Sequence, residues 1–139
     1  MDLFEDLLKK DLTEINMMSP LTWAYVGDNV YELYVRLYLS ENTNLNPHRM
    51  HVSSIKYVKA NHQAEILKYL EENVLTDDEK DIVRRGRNTE SHHLPKHATA
   101  VDYMYSTAFE ALIGYLYLTK QNERLDVILK QSIEFAENI

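Results

Sequence analysis

Apolar residues in this 139-residue chain recur at intervals of three and four, the period of helices that bury one face. The pattern predicts helices throughout, about seven of them. A short amphipathic helix is expected over residues 2–9, through Leu3, Phe4, Leu7 and Leu8. Ser19 followed by Pro20 reads as a cap and a first-turn proline, opening a helix that runs to about Leu39. Pro47 opens the next, with Val52, Ile55 and Val58 apolar, and another carries Ala64, Ile66, Leu67 and Leu70. Thr76 and Glu79 form a capping box for a short helix ending near Gly86, where the glycine reads as a C-cap. Residues 87–100 lack periodicity, contain Pro95 and read as the longest loop. Helix returns from about Asp102 to Leu118. A last helix, capped by Asn122, carries Leu125, Ile128, Leu129, Ile133 and Phe135.

Two of these helices break their own pattern. On the face Leu21, Ala24, Tyr25, Asp28, Tyr31, Glu32, Val35, two carboxylates interrupt an apolar stripe. In the later helix Glu110 sits among Ala111, Leu112, Ile113 and Gly114. A buried charge is costly unless it is paired or holds a metal. Glycine within a helix costs about 1 kcal/mol relative to alanine, so Gly27 and Gly114 suggest helices that cross closely beside the acids. Pattern alone leaves two readings open: acids satisfied within the core, or acids converging on a cation. Hard carboxylate oxygens suit Mg²⁺ or Mn²⁺, whose chemistry is phosphodiester hydrolysis.

Size and composition narrow the class. The length fits one domain, and three glycines with three prolines are too few for a β-rich protein. No cysteine is present, which removes disulfides and thiolate metal sites. The N-terminus lacks the apolar segment of a signal peptide and no stretch approaches the ~20 apolar residues of a membrane span, so a cytoplasmic protein is expected. The net charge of −7 argues against a non-specific nucleic-acid binder. The charge is uneven, however. Residues 44–68 carry Arg49, Lys56, Lys59 and Lys68 against Glu65; residues 82–98 carry Arg84, Arg85, Arg87 and Lys96 against Glu90. Arginine suits bidentate phosphate contact, which makes Arg84, Arg85, Arg87, Asn88 and Lys96 the candidate track for a nucleic-acid backbone. His93 and His97 invite a zinc reading but lack a third ligand. Of the ten tyrosines, most are expected at helix contacts and a subunit interface.

The segment Tyr25-Val-Gly-Asp28-Asn-Val-Tyr-Glu32 resembles the nuclease signature of the ribonuclease III family, and Ser106-Thr-Ala-Phe-Glu110-Ala-Leu-Ile-Gly-Tyr-Leu-Tyr-Leu118 resembles its second acidic motif. Arg85-Gly-Arg-Asn88 and Pro95-Lys96 are similar to the short Mini-ribonuclease III branch. The resemblance spans the chain from about Ser19 to its end. It implies an all-α ribonuclease III-type endonuclease domain over residues 1–139, without a separate double-stranded-RNA-binding domain. It also implies a homodimer that cleaves double-stranded RNA with Mg²⁺, for which Mn²⁺ substitutes. The branch is associated with maturation of large-subunit (23S) ribosomal RNA, with a ribosomal protein as a partner presenting the substrate. Asp28 and Glu110 fall on the family's catalytic, metal-binding acids, and Glu32 is a further candidate metal ligand. Two acids of longer family members are replaced, by Ala24 and Thr107, and Asn29 stands where alanine is usual. Those replacements motivate the rival expectation, a non-catalytic RNA-binding or ribosome-assembly protein on the same fold.

Overall fold

The computed structural model describes residues 3–89 and 99–139. Among them lie seven α-helices: α1 (Leu12–Met17), α2 (Pro20–Asn42), α3 (Pro47–Val58), α4 (Ala60–Asn73), α5 (Asp77–Asn88), α6 (Ala100–Leu118) and α7 (Asn122–Ala136). The all-α class expected from the pattern is what the chain adopts. Helix α6 is the axis of the packing. Its middle is buried on nearly every side through Ala108, Phe109, Ala111, Leu112, Ile113 and Leu116, as an enclosed helix must be. Helices α2, α4, α5 and α7 surround it.

The close approach signalled by the two glycines is real. A Cβ added to Gly27 would stand 1.8 Å from the Glu110 carbonyl oxygen, and one added to Gly114 would stand 1.8 Å from the Trp23 carbonyl oxygen. Backbone meets backbone at this crossing. The stripe that α2 buries is Trp23, Ala24, Gly27, Tyr31, Val35 and Leu39. That stripe is rotated from the expected one: Tyr25 is 77% exposed and Asp28 is exposed rather than embedded. The glycines, not the larger residues, mark the centre of the contact.

The start signals at Ser19, Pro47 and Thr76 hold. The Ser19, Asn46 and Thr76 side chains each accept a backbone N–H of the first turn, and Glu79 completes the capping box with Thr76. Other expectations are corrected. The amphipathic helix expected over residues 2–9 is not found among the described residues of that stretch; Glu5–Leu7 make one 3₁₀ turn and Leu3 and Leu7 face solvent. The helix lies later, as α1, started by a capping box between Asp11 and Glu14. Val52 and Ile55 are largely exposed, and Tyr57 is the buried residue of α3. Helix α5 does not stop at Gly86. It continues to Asn88, because Gly86 lets α5 lie against Ala108 and Ala111 of α6. Asn122 is the first residue of α7, whose N-cap Gln121 makes no side-chain capping bond.

Polar clamps hold the ends. The Trp23 indole N–H donates to the Ile15 carbonyl at 2.9 Å. Arg85 donates to the Asn16 carbonyl at 2.7 Å and lies 4.7 Å over the Trp23 ring. The Tyr115 hydroxyl donates to Asn16 Oδ1 at 2.7 Å. Together they seat α1 on the bundle. Arg124 donates to both Glu79 oxygens, at 2.7 and 2.9 Å, and to the Val74 carbonyl at 2.6 Å, joining α7 to the start of α5. Burial would raise the Glu79 pKa, but the hydrogen bonds from Arg124 and Thr76 outweigh it and hold the carboxyl below its ordinary value.

Alanine at position 27 tests the crossing. In an open helix Gly→Ala stabilises by about 1 kcal/mol. Here the Cβ collides with backbone that cannot turn aside, so Gly27→Ala is expected to lose about 1–3 kcal/mol or more in urea unfolding. A neutral or stabilising result would mean that the helices separate without cost.

Candidate active site

The crossing places the acids. Gly27 touches the carbonyl of Glu110, so the residue after the glycine, Asp28, is brought beside the Glu110 side chain. The two carboxyl groups, one from α2 and one from α6, come within hydrogen-bonding reach of each other. Asp28 stands on the solvent side, and Glu110 lies at the edge of the core, partly exposed. Glu32, one turn along α2, is also partly exposed and contributes a weaker charge effect at Glu110. Desolvation, then the nearby Asp28, push the Glu110 pKa up from 4.5 to about 9. At neutral pH Glu110 therefore keeps a proton unless a cation takes its place.

A residue absent from the sequence-based candidates completes the group. Gln63 of α4 is fully buried, and its Oε1 accepts the Ser106 hydroxyl at 2.6 Å. The Gln63 side chain also lies close enough to Glu110 to counter the rise in that carboxyl's pKa. A signal was available: Gln63 shares the apolar face of α4 with Ile66, Leu67 and Leu70, where an amide is out of place. Positions 24 and 107, where longer family members carry acids, hold buried Ala24 and Thr107, and Asn29 is exposed.

The donor set is hard oxygen. Among the described residues no group of three His, Cys, Asp or Glu side chains is placed to hold a metal. The facing pair Asp28 and Glu110 nevertheless fits Mg²⁺, which binds through one or two carboxylates and keeps water on its remaining positions. Two carboxyl groups forced together, one of them protonated for lack of a counter-charge, are what such an ion relieves.

The basic residues divide. Arg84 is exposed and pairs with Asp81. Arg85 is engaged with Asn16 and Trp23, which differs from the expectation of a side chain offered to RNA. Arg87 and Asn88 lie on the last turn of α5, not in a loop; Arg87 is half-buried and Asn88 is exposed. The Arg87 guanidinium and the Lys68 ammonium lie 5.8 and 5.4 Å from the Tyr105 ring centre. Neither forms an ion pair among the described residues. Lys96, Pro95, His93 and His97 lie outside the described residues.

A helical domain of this kind has relatives among known proteins. The Ribonuclease III domain model matches residues 21–121. Mini-ribonuclease 3 of Symbiobacterium thermophilum is 46% identical over 120 residues, which is 86% of this chain and 92% of that protein. Mini-ribonuclease 3 of Streptococcus pneumoniae is 39% identical over 127 residues, covering 91% of this chain and 99% of that protein. A crystal structure of a Fusobacterium nucleatum protein superposes with a TM-score of 0.76 at 30% identity, over 87% of this chain and 96% of that one. The chain belongs to the ribonuclease III family, in its Mini-ribonuclease 3 branch. Membership supports a ribonuclease III-type endoribonuclease acting on RNA.

The raised Glu110 pKa has a thermodynamic sign. The folded chain holds that proton more tightly than the unfolded chain. The resulting stability is present in full below about pH 4.5 and is lost as pH rises through about 9. In EDTA, Glu110→Gln is expected to unfold at higher temperature than wild type at pH 8, with the gap closing toward pH 4.5. Equal melting temperatures at pH 8 would mean that Glu110 ionises freely.

Proposed function

We propose that this protein is a Mg²⁺-dependent endonuclease specific for double-stranded RNA, acting as a homodimer. The observation that carries the reading is the convergence of Asp28 and Glu110, which leaves Glu110 protonated unless a cation is bound. Asp28 and Glu110 would hold the ion, and Glu32 would act through a water at its rim. When bound, the ion supplies a nucleophilic water and neutralises charge at the phosphate, with Mn²⁺ able to replace Mg²⁺. The chain's own part is to fix the two carboxylates at the crossing and to carry the backbone of the RNA past them.

Exposed Arg84 and Asn88, half-buried Arg87, and Lys68 at the Tyr105 ring support a phosphate track. Lys96 joins the track on sequence grounds. Such contacts read A-form shape and phosphates rather than base sequence. Tyr25, Leu33 and Leu37 support the homodimer: they leave exposed apolar surface on α2, the helix that carries Asp28. A two-fold dimer would present two sites, one for each strand. The resemblance to the short branch carries the natural substrate, precursor 23S ribosomal RNA, with a ribosomal protein presenting it in the cytoplasm. Among the described residues no helix is long and apolar enough to cross a membrane.

Long double-stranded RNA in Mg²⁺ is expected to be cut on both strands by wild type. Neither the Asp28→Asn variant nor EDTA-treated protein should cut it. Binding without cleavage in both Mg²⁺ and Mn²⁺ would favour the non-catalytic RNA-binding reading. Equal cleavage by Asp28→Asn would put the chemistry elsewhere.

Affinity for the same RNA, measured in Ca²⁺ to suspend turnover, is expected to fall about tenfold or more between about 50 and 200 mM salt, since phosphate contacts release counterions. Arg87→Gln should flatten that slope. A salt-insensitive affinity would remove the basic track.

A further inference from the structure

We infer that Gln63 is a positioning residue for Glu110: the buried Ser106–Gln63 pair fixes the direction of the carboxylate that faces Asp28. The inference rests on the metal-dependent nuclease reading above and adds a third helix, α4, to the site.

Geometry carries the argument. Gln63 is 2% exposed and Ser106 is 7% exposed, so water cannot satisfy their polar atoms. An amide has one acceptor oxygen and two N–H donors, and its two ends differ only in how their neighbours respond to them. Here the neighbours choose. The Ser106 hydroxyl donates to Oε1 at 2.6 Å, which turns the amide nitrogen toward Glu110. With Glu110 ionised on a cation, the opposite orientation would aim a carbonyl oxygen at a carboxylate. The network then favours the orientation that Ser106 sets.

The connection is also short along α6. Ser106 precedes Glu110 by one helical turn, so both project from the same side of that helix. Gln63 bridges them from α4. One end of the bridge is tied to the helix that bears the acid, and the other end touches the acid itself. Glu110 then faces an amide whose direction is set by buried groups, whereas Asp28 stands on the exposed side of the pair.

An apolar side chain of Gln63's size would fill the same space without needing partners. A buried amide at this position is costly unless its polar ends find partners, and its oxygen has one in the Ser106 hydroxyl. Its distinctive contribution is directional. A bound ion takes its two carboxylates at a set separation, and supporting hydrogen bonds to metal-binding carboxylates are worth about 10–100-fold in affinity or activity.

The test uses Gln63→Leu, Ser106→Ala, Ser106→Thr and the Gln63→Leu/Ser106→Ala double variant in the full chain. Three quantities are read: kcat and KM on double-stranded RNA in Mg²⁺, Mn²⁺ affinity of RNA-free protein by calorimetry, and the urea midpoint. Gln63→Leu is expected to lower kcat and Mn²⁺ affinity about 10–100-fold while KM changes by less than about threefold. Ser106→Thr, which keeps the hydroxyl, should stay near wild type. Ser106→Ala should fall between, and the double variant should fall no further than Gln63→Leu, because both cut one chain of contacts.

Folded Gln63→Leu with wild-type kcat and Mn²⁺ affinity would overturn the proposal and leave Gln63 as filling for the core. If Gln63→Leu does not fold, Ser106→Ala decides, since it removes a single oxygen. A wild type that binds Mn²⁺ but does not cut RNA would defeat the nuclease reading, with the titrations still deciding Gln63's role. A wild type that binds no Mn²⁺ defeats both.

Discussion

The contact on which the rest depends is backbone against backbone. Where α2 crosses α6, Gly27 lies on the carbonyl of Glu110 and Gly114 lies on the carbonyl of Trp23. No side chain stands between the helices at that point. Packing density there is set by main-chain atoms, which cannot adopt another rotamer to relieve a misfit. Fixing two points on each helix removes sliding and rotation together. Everything that matters chemically is one residue away. Asp28 follows the first glycine, and Glu110 supplies the oxygen which that glycine touches. The cost of setting two acids side by side is met by a large apolar interface, in which Tyr31 packs edge-on to Phe109 at 4.8 Å and the middle of α6 is enclosed.

Much of this was legible in the chain. Helix starts are written in local chemistry, as at Ser19-Pro20 and Thr76–Glu79, and such signals need nothing from the rest of the fold. The glycines inside apolar helices announced a close crossing because their cost demands a reason. The rotation of α2 is harder to read. Tyrosine and tryptophan count as apolar in a pattern, yet Tyr25 is exposed while Trp23 is fully buried, and periodicity cannot rank them. The end of α5 is ambiguous for a related reason. Gly86 has the same one-letter meaning at a helix end and at a helix–helix contact, and its contact is with Ala108 and Ala111, which belong to a different helix. Gln63 is hidden because its partners, Ser106 and Glu110, also lie on another helix.

The same non-local logic separates cations that build the molecule from cations that face outward. Arg85 and Arg124 are drawn inward by acceptors that the fold presents: the Asn16 carbonyl for one, Glu79 and the Val74 carbonyl for the other. Charge runs in a sequence do not distinguish Arg85 from Arg84 and Arg87 beside it. A guanidinium that donates to a carbonyl or carboxylate of the fold is a structural member, whereas one that only rests on an aromatic ring keeps its donors for something else. Glu137 shows the acid counterpart. Hydrogen bonds from Tyr38 and Tyr57, and then from Lys56, hold its carboxyl below the ordinary range, and they tie the end of α7 to α2 and α3.

Trp23 is the chain's one tryptophan. Its ring is buried beneath the Arg85 guanidinium, its N–H is bound to α1, and its carbonyl touches Gly114 at the crossing. The intrinsic ultraviolet emission of this protein is therefore local in origin. A red shift would report water reaching the seam between α1 and the two central helices, before any change need occur at α3 or α7. The molecule carries its own optical gauge, placed beneath the joint that aligns the acids.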